Sequence, residues 1–305
     1  MSGFENNVYL VFGKNGWIGG KMIELLKEKG RTFYLADSRT YDRESVIAEI
    51  EKYKPTHVLN AAGVTGRPNV DWCEDHRQET IRTNVIGCLN IADICASKGI
   101  HHLLYATGCI FEYDDEHVIG GKGFLETDKP NFHGSYYSHT KAMVEDLLKE
   151  YPTTLTLRVR MPISDDLSPR NFVTKIVKYD RVVNIPNSMT VLTDLLPVSL
   201  IMAEKNLTGI YNFCNPGAIS HNEVLDLYKK YVDPNYTYTN FTLEEQAQIL
   251  KAGRSNNTLD HTKLVEALPG VEIPEIHASM EKVMQRMRAN LEKEGVWPDH
   301  LPKRA

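Results

Sequence analysis

The fold is decided by the stretch Gly13-Lys14-Asn15-Gly16-Trp17-Ile18-Gly19. It follows an apolar run, Val8–Phe12, and precedes a helical pattern of apolar residues over 18–29. A glycine-rich turn between a strand and a helix is typical of dinucleotide-binding proteins, because its backbone amides can bind a pyrophosphate. The spacing is G-x-x-G-x-x-G, and an ordinary tight turn is the alternative for this stretch taken by itself. With its flanking strand and helix, it predicts the first βα unit of a dinucleotide-binding fold.

Short apolar runs and helical stretches alternate outward from this turn. Strands are predicted at 33–36, 56–60, 101–106, 154–159 and 209–213, and a long helix at 138–150. This alternation predicts an α/β protein with a Rossmann-type doubly wound parallel sheet and a smaller C-terminal substrate lobe. We assign 1–160 and 190–217 to the dinucleotide-binding domain and 161–189 and 218–305 to the lobe, where the alternation breaks into loops and turns. The polar tail after Met287 is expected to fray.

Charge and cysteine content narrow the classes of function. The 305 residues include 35 Lys and Arg against 40 Asp and Glu, a net charge of -5, so we expect no nucleic-acid partner. The start is not signal-like and no run is long enough to cross a bilayer, so we expect no membrane partner and a cytoplasmic location. A homodimer is possible, because the sequence does not indicate the oligomeric state. No C-x-x-C pair occurs, so neither disulfides nor a metal site are expected among the five cysteines, which are Cys73, Cys88, Cys95, Cys109 and Cys214.

Residues after the second and third predicted strands indicate how a dinucleotide would bind. Asp37 and Arg39 favour different cofactors, because a carboxylate suits a ribose hydroxyl and a guanidinium suits a 2′-phosphate. We favour NADPH through Arg39, with NADH as the other candidate and a solvated loop charge as the alternative for Asp37. The small residues of Asn60-Ala61-Ala62-Gly63 would let the adenine–ribose half lie against the sheet edge. The predicted cofactor contacts also include Gly13, Asn15, Gly16, Trp17, Ile18 and Asn84.

Tyr137 and Lys141 are four residues apart on a predicted helix, which places both side chains on one face. A free tyrosine has a pKa of about 10, and bringing it near neutrality takes about 4 kcal/mol of preferential stabilisation of the phenolate. The Lys141 ammonium and a positively charged nicotinamide can supply it. Thr107 ends a predicted strand, where open parallel sheets bind their ligands. We therefore predict that Tyr137 gives a proton to a carbonyl oxygen as hydride reaches the carbon, assisted by Thr107, with Tyr136 as the competing donor.

Cys109 lies two residues beyond Thr107 and shares the same predicted crevice. A buried structural thiol is the alternative. In a 4-keto sugar the C3 and C5 protons are acidified, so a thiolate can remove one and a second group can return it on the opposite face. Lys175 is the candidate for that second group, although alone it would be interpreted as a solvated helix lysine.

With these residues in view, the sequence resembles the UDP-4-keto-6-deoxyglucose 3,5-epimerase/4-reductase family of the extended short-chain dehydrogenases/reductases. These epimerase-reductases complete UDP-rhamnose synthesis in plants and some other organisms, and they are similar in fold to dTDP-4-dehydrorhamnose reductases. The resemblance covers about 8–268. It is carried by long blocks at 13–20, 61–73, 105–113, 158–163, 184–189 and 254–257.

The resemblance implies a bifunctional enzyme that converts UDP-4-keto-6-deoxy-glucose to UDP-L-rhamnose with NADPH. Thr107, Tyr137 and Lys141 would form the reductase centre, and Cys109 and Lys175 would match the epimerase acid/base pair. A reductase acting on dTDP- or UDP-4-keto-rhamnose would not need that pair, and it is one alternative. A non-catalytic, dinucleotide-binding regulatory subunit is the other. The residues expected near substrate are Arg67, Asn69, Asn171 and Arg254.

Overall fold

The computed structural model describes residues 4, 6–67, 69–298 and 301–302. Its longer strands agree with the predicted ones to within one or two residues. Within the described residues the strands are Val8–Phe12 (β1), Thr32–Leu35 (β2), His57–Asn60 (β3), His101–Thr107 (β4), Thr154–Val159 (β5), Arg181–Val182 (β6), Pro186–Asn187 (β7), Gly209–Asn212 (β8), Ile219–Ser220 (β9) and Thr239–Asn240 (β10).

The helices cover both faces of the sheet and build most of the lobe. A π-helical segment, Arg82–Ile86, joins α4 to α5. The helices are Trp17–Glu28 (α1), Arg43–Tyr53 (α2), Trp72–Asp75 (α3), Arg77–Ile81 (α4), Gly87–Lys98 (α5), Tyr136–Leu148 (α6), Phe172–Ile176 (α7), Leu192–Glu204 (α8), His221–Tyr231 (α9), Leu243–Ile249 (α10), Thr262–Glu266 (α11) and Ile276–Lys293 (α12).

Six parallel strands form the main sheet in the order β2-β1-β3-β4-β5-β8. The order reverses between β1 and β3, because β2 lies on one side of β1 and all later strands lie on the other. Open parallel sheets bind ligands at such a switch point, outside the carboxyl ends of the strands. The prediction of a Rossmann-type doubly wound sheet is confirmed.

Two large apolar cores hold the molecule together. One packs α1 and α8 against the sheet around residues such as Leu26, Leu103 and Leu195. The other lies in the lobe, where α7, α9 and α12 bury side chains such as Val173 and Met284 against one another. The lobe is therefore a packed unit beside the carboxyl edge of the sheet, not a set of loose loops.

Two segments differ from their sequence-based assignment. Leu264 and Leu268, which were assigned to the lobe, are buried in the core of the main sheet instead. The tail after Met287 does not fray at Trp297, whose indole Nε1 donates to the Val232 carbonyl at 2.8 Å and whose ring lies 3.1 Å from the Arg288 guanidinium carbon. Both departures arise from tertiary contacts that local composition does not reveal. No described helix has the length and apolarity needed to span a bilayer.

Candidate active site

The glycine-rich turn is shaped by backbone contacts. Gly13 has a φ of +83°, and a Cβ there would lie 2.6 Å from the Ala61 carbonyl carbon. A Cβ on Gly19 would collide with the Gly13 carbonyl oxygen. Gly16 precedes α1 without a side-chain cap, and the first turn of α1 holds no acidic residue. The first amides of α1 are therefore free of a competing side-chain acceptor, as an anion site requires.

The remaining turn residues divide between solvent and protein. Asn15 is exposed, and Ile18 is half-buried against the sheet core. Trp17 donates its indole Nε1 to Asp166 Oδ2 at 3.0 Å, and Lys21 pairs with the same oxygen at 2.6 Å. Asp166 belongs to the segment between β5 and α7. These two contacts therefore join the start of α1 directly to the lobe.

The loop after β3 is held open by amide side chains. Asn60 Oδ1 accepts from the Ala62 amide at 3.1 Å. The Asn84 side chain forms two hydrogen bonds with the Val64 backbone, accepting from its amide at 2.8 Å and donating to its carbonyl at 2.7 Å. A Cβ on Gly63 would lie 3.9 Å from Lys141 Nζ. The bare backbone at Gly63 therefore borders the Lys141 ammonium, which leaves room for a flat ligand against the loop.

The end of β2 is organised by Glu49. Its carboxylate accepts from the Asp37 and Ser38 amides at 2.7 and 3.2 Å and from the Ser38 hydroxyl at 2.6 Å. Lys14 pairs with Asp37. Arg39 is exposed and forms no ion pair with another described residue. A guanidinium without a protein carboxylate, beside the switch point, fits the 2′-phosphate of a dinucleotide.

Thr107, Tyr137 and Lys141 converge at the carboxyl end of β4, and all three are buried. The Thr107 side chain lies near the Tyr137 hydroxyl, where it opposes the effect of burial on the pKa of Tyr137. Lys141 Nζ lies 5.9 Å from the centroid of the Tyr137 ring. Ser135 caps α6 by accepting from the Ser138 amide at 3.1 Å, which starts the helix where both catalytic candidates face the sheet.

Burial dominates the titration of this pair. It raises the pKa of Tyr137 well above the usual value near 10, and it lowers the pKa of Lys141. The direction for Tyr137 is opposite to the one expected from the sequence, because burial penalises the phenolate and the nearby Cys109 adds to that effect. The phenol is therefore held protonated, as a proton donor must be.

Tyr136, the competing donor, is oriented away from this pair. Its backbone amide donates to Glu74 Oε1 at 2.7 Å. Its ring lies under the Arg77 guanidinium, 4.7 Å from centroid to carbon. These contacts hold Tyr136 at the rim beside α4, whereas Tyr137 points into the site.

Cys109 and Lys175 reach the same site from two elements. Cys109 is partly exposed on the turn after β4, and its amide donates to Thr107 Oγ1 at 3.1 Å. Lys175 is half-buried on α7, and burial together with the nearby Arg170 lowers its pKa while Cys109 opposes that shift. Cys109 also acts on the pKa of Tyr137. The thiol thus lies within electrostatic range of both the reductase centre and the lysine.

The four residues expected near substrate have different settings. Arg67 is exposed. Asn69 Oδ1 accepts from the Asp71 amide at 2.8 Å, and Arg254 pairs with Asp71 at 2.9 Å. Asn171 is fully buried and donates to the Ser164 and Asp166 carbonyls, both at 2.7 Å, while its oxygen caps α7. Its amide is thus engaged by backbone, a structural role that sequence alone did not reveal.

One known protein family matches most of this chain. The model of the family described as RmlD substrate binding domain matches residues 7–289. The chain belongs to this family. It is 59% identical over 279 residues to the bifunctional dTDP-4-dehydrorhamnose 3,5-epimerase/dTDP-4-dehydrorhamnose reductase of Arabidopsis thaliana, covering 91% of each chain. It is 57% identical over 263 residues to a trifunctional UDP-glucose 4,6-dehydratase/UDP-4-keto-6-deoxy-D-glucose 3,5-epimerase/UDP-4-keto-L-rhamnose-reductase of the same organism, but it spans only 39% of that protein.

Solved structures place this RmlD-family chain among nucleotide-sugar enzymes. The crystal structure of the L780 UDP-rhamnose synthase from Acanthamoeba polyphaga mimivirus has a TM-score of 0.87 and 40% identity, covering 92% of this chain and 99% of that one. A dTDP-4-dehydrorhamnose reductase from Bacillus anthracis, solved in complex with NADP, has a TM-score of 0.77 at 19% identity, covering 91% and 98%. The second comparison supports the fold alone.

One residue of this RmlD-family site was missed by the sequence prediction. Arg170 donates from Nη1 to Thr65 Oγ1 and to the Gly66 carbonyl, both at 2.9 Å, and burial together with the nearby Arg67 lowers its pKa. It therefore joins the lobe to the loop after β3, near Lys175. The sequence signal that could have identified Arg170 is its position directly before Asn171, a predicted substrate contact at the start of α7.

Proposed function

We propose that this chain catalyses both 3,5-epimerisation and NADPH-dependent 4-reduction of UDP-4-keto-6-deoxy-glucose, forming UDP-L-rhamnose. The observation that carries the proposal is the position of Cys109, whose amide donates to Thr107 Oγ1 and whose thiol lies close enough to Tyr137 and Lys175 to act on the pKa of each. The bifunctional and trifunctional Arabidopsis relatives support the same pair of reactions.

Epimerisation uses residues on two elements. The Cys109 thiolate removes the acidified proton at C3 or C5, which leaves an enolate whose negative charge rests on the C4 oxygen. Thr107 and Tyr137 donate hydrogen bonds to that oxygen. The Lys175 ammonium then returns a proton to the opposite face, so each centre loses one proton and gains one. The lowered pKa of Lys175 eases this donation.

Reduction uses the buried pair on α6. NADPH supplies a hydride to C4 when it is bound. Tyr137 gives its phenolic proton to the C4 oxygen, and the Lys141 ammonium stabilises the phenolate that remains. The turn at Gly13, the start of α1, the Gly63 backbone and Arg39 would hold the dinucleotide, with Arg39 selecting its 2′-phosphate.

The test separates the two reactions, because proton exchange at C3 and C5 needs no hydride. In deuterated water with oxidised cofactor, the parent protein should exchange deuterium into C3 and C5 of UDP-4-keto-6-deoxy-glucose. Cys109→Ala and Lys175→Ala should suppress that exchange, whereas Cys109→Ala should still reduce a keto sugar supplied in the epimerised form. The same assay with the dTDP-linked sugar measures nucleotide preference.

Three outcomes would contradict the proposal. Parent-rate exchange by Cys109→Ala would return the thiol to a packing role. Reduction of epimerised sugar without any exchange by the parent would indicate a monofunctional reductase. Cofactor binding with neither reaction would indicate a regulatory subunit.

A further inference from the structure

Arg160 is a fully buried cation without a carboxylate partner among the described residues. It directly follows β5, and its guanidinium donates only to neutral oxygens. Burying an unneutralised charge costs free energy, so its retention calls for a function. The acceptors are the Ser188 carbonyl (3.3 Å), the Gly108 carbonyl (3.3 Å), Ser255 Oγ (2.9 Å), the Ser255 carbonyl (3.2 Å) and Asn187 Oδ1.

Arg158, two residues earlier and within β5, provides a contrast. It is equally buried, but it forms a two-point ion pair with Glu145, at 3.0 Å from Nε and 2.7 Å from Nη2. The charge of Arg158 is therefore neutralised within the core. The charge of Arg160 is not neutralised by a carboxylate, so its electric field acts on neighbouring ionisable groups.

The turn that carries Cys109 lies beside Arg160. A Cβ on Gly108 would lie 2.8 Å from Arg160 Cγ, so the Gly108 backbone packs directly on the arginine stem. The Gly108 carbonyl accepts from Arg160 and also from Asn257 Nδ2 at 3.2 Å. On the opposite side of the same peptide, the Cys109 amide donates to Thr107 Oγ1. This peptide plane is therefore held from both sides.

The ionisable groups around the Cys109 thiol come from three elements. Tyr137 faces it from α6, Lys175 from α7, and Cys214 from the end of β8. Burial raises the pKa of Cys214 to about 12, and Arg160 opposes that shift while Cys109 adds to it. Arg160 and Cys109 therefore both lie near the Cys214 sulfur, and the hydrogen bond from Arg160 to the Gly108 carbonyl joins the arginine to the residue before Cys109.

We propose that Arg160 is a positioning residue for both half-reactions. It orients the Gly108–Cys109 peptide, whose amide donates to Thr107 Oγ1, and it places a buried positive charge beside the turn that carries the Cys109 thiol. The inference rests on the proposed role of Cys109 as a base.

The experiment compares Arg160→Gln, which keeps donors but loses the charge, with Arg160→Lys, which keeps the charge. Arg158→Lys is the matched control. Alkylation of Cys109 by iodoacetamide is followed against pH by peptide-resolved mass spectrometry, alongside deuterium exchange into the keto sugar. Arg160→Gln should lower both rates at pH 7 by about tenfold or more, and Arg160→Lys should restore most of each.

A second variant guards against loss of folding in Arg160→Gln. Asn187→Asp leaves Arg160 intact but gives it a carboxylate partner, so it should slow alkylation of Cys109 in the same direction. Parent-like alkylation in both neutralising variants would overturn the proposal, as would an equal loss in Arg158→Lys, which would indicate general loosening. If Cys109→Ala exchanged deuterium at the parent rate, the base assignment would fall, while the alkylation profiles would still test the effect of Arg160.

Discussion

At the scale of single residues, Tyr137 and Lys141 are buried together, and burial disfavours the charged form of each. The phenol therefore starts protonated, and loss of its proton depends on Lys141 and on the positive charge of an oxidised nicotinamide. Their four-residue spacing predicted the pair. The direction of the Tyr137 pKa shift could not be predicted, because it depends on which elements cover the site.

Tyr137→Phe removes the proton donor with little change in volume. Reduction of the epimerised keto sugar should fall by about a hundredfold or more, while NADPH binding measured by fluorescence titration stays near the parent value. Tyr136→Phe is the matched control, and it should change turnover by less than about twofold because its ring lies against Arg77 at the rim. The opposite pattern would make Tyr136 the donor.

At the scale of elements, the strands and helices around the sheet follow from periodicity, whereas the connections depend on distant partners. The predicted helix at 138–150 begins at Tyr136 because Ser135 caps it. Glu49 on α2 orders the loop after β2, and Asn84 in the π-helical segment orders the loop after β3. No local pattern predicts those contacts, which join residues 12 and 20 positions apart.

Two adjacent glycines of α1 should respond oppositely to alanine. Gly19→Ala forces a Cβ against the Gly13 carbonyl, so it should destabilise the protein by about 2 kcal/mol and weaken NADPH binding. A Cβ on Gly20 meets nothing within 4 Å, so Gly20→Ala should stabilise the helix by about 0.5–1 kcal/mol. Chemical unfolding and NADPH titration of both variants provide the measurements. Equal effects of the two substitutions on stability and NADPH binding would mean that the turn tolerates a larger distance between α1 and β1.

At the scale of the whole molecule, the site lies where the sheet and the lobe meet. Alternation along the sequence predicted the sheet, and the broken alternation predicted a lobe made from separate segments. It did not predict that Asp166 would join the lobe to Trp17, or that Leu264 would pack under the sheet. Such contacts arise only when both units are assembled, and they make the stability of the whole depend on buried polar groups in each.

Three buried histidines, His57, His102 and His221, should make the assembled molecule sensitive to acid. Burial lowers the pKa of His57 and His221 to about 4 and that of His102 to about 3, against about 6.5 in an unfolded chain. Because the folded pKa is the lower one, this stabilisation is complete above pH 6.5 and is lost as pH falls toward 4 and 3. Each histidine should add about 1.4 kcal/mol per pH unit to the slope of unfolding free energy.

The test is chemical unfolding between pH 6.5 and 5, above the range in which ordinary carboxylates titrate. His102→Gln should reduce the slope by about 1.4 kcal/mol per pH unit at the acid end of this range and by about half as much at pH 6.5, even if it lowers stability at pH 7. The exposed His277 supplies a control of opposite sign, because its carboxylate partners Glu275 and Glu223 raise its pKa. His277→Gln should therefore remove stability that the parent gains as pH falls toward 6.5, so the series for this variant is extended upward to pH 8. A parent slope in His102→Gln would show that His102 gains its proton without unfolding, through local opening at the start of β4.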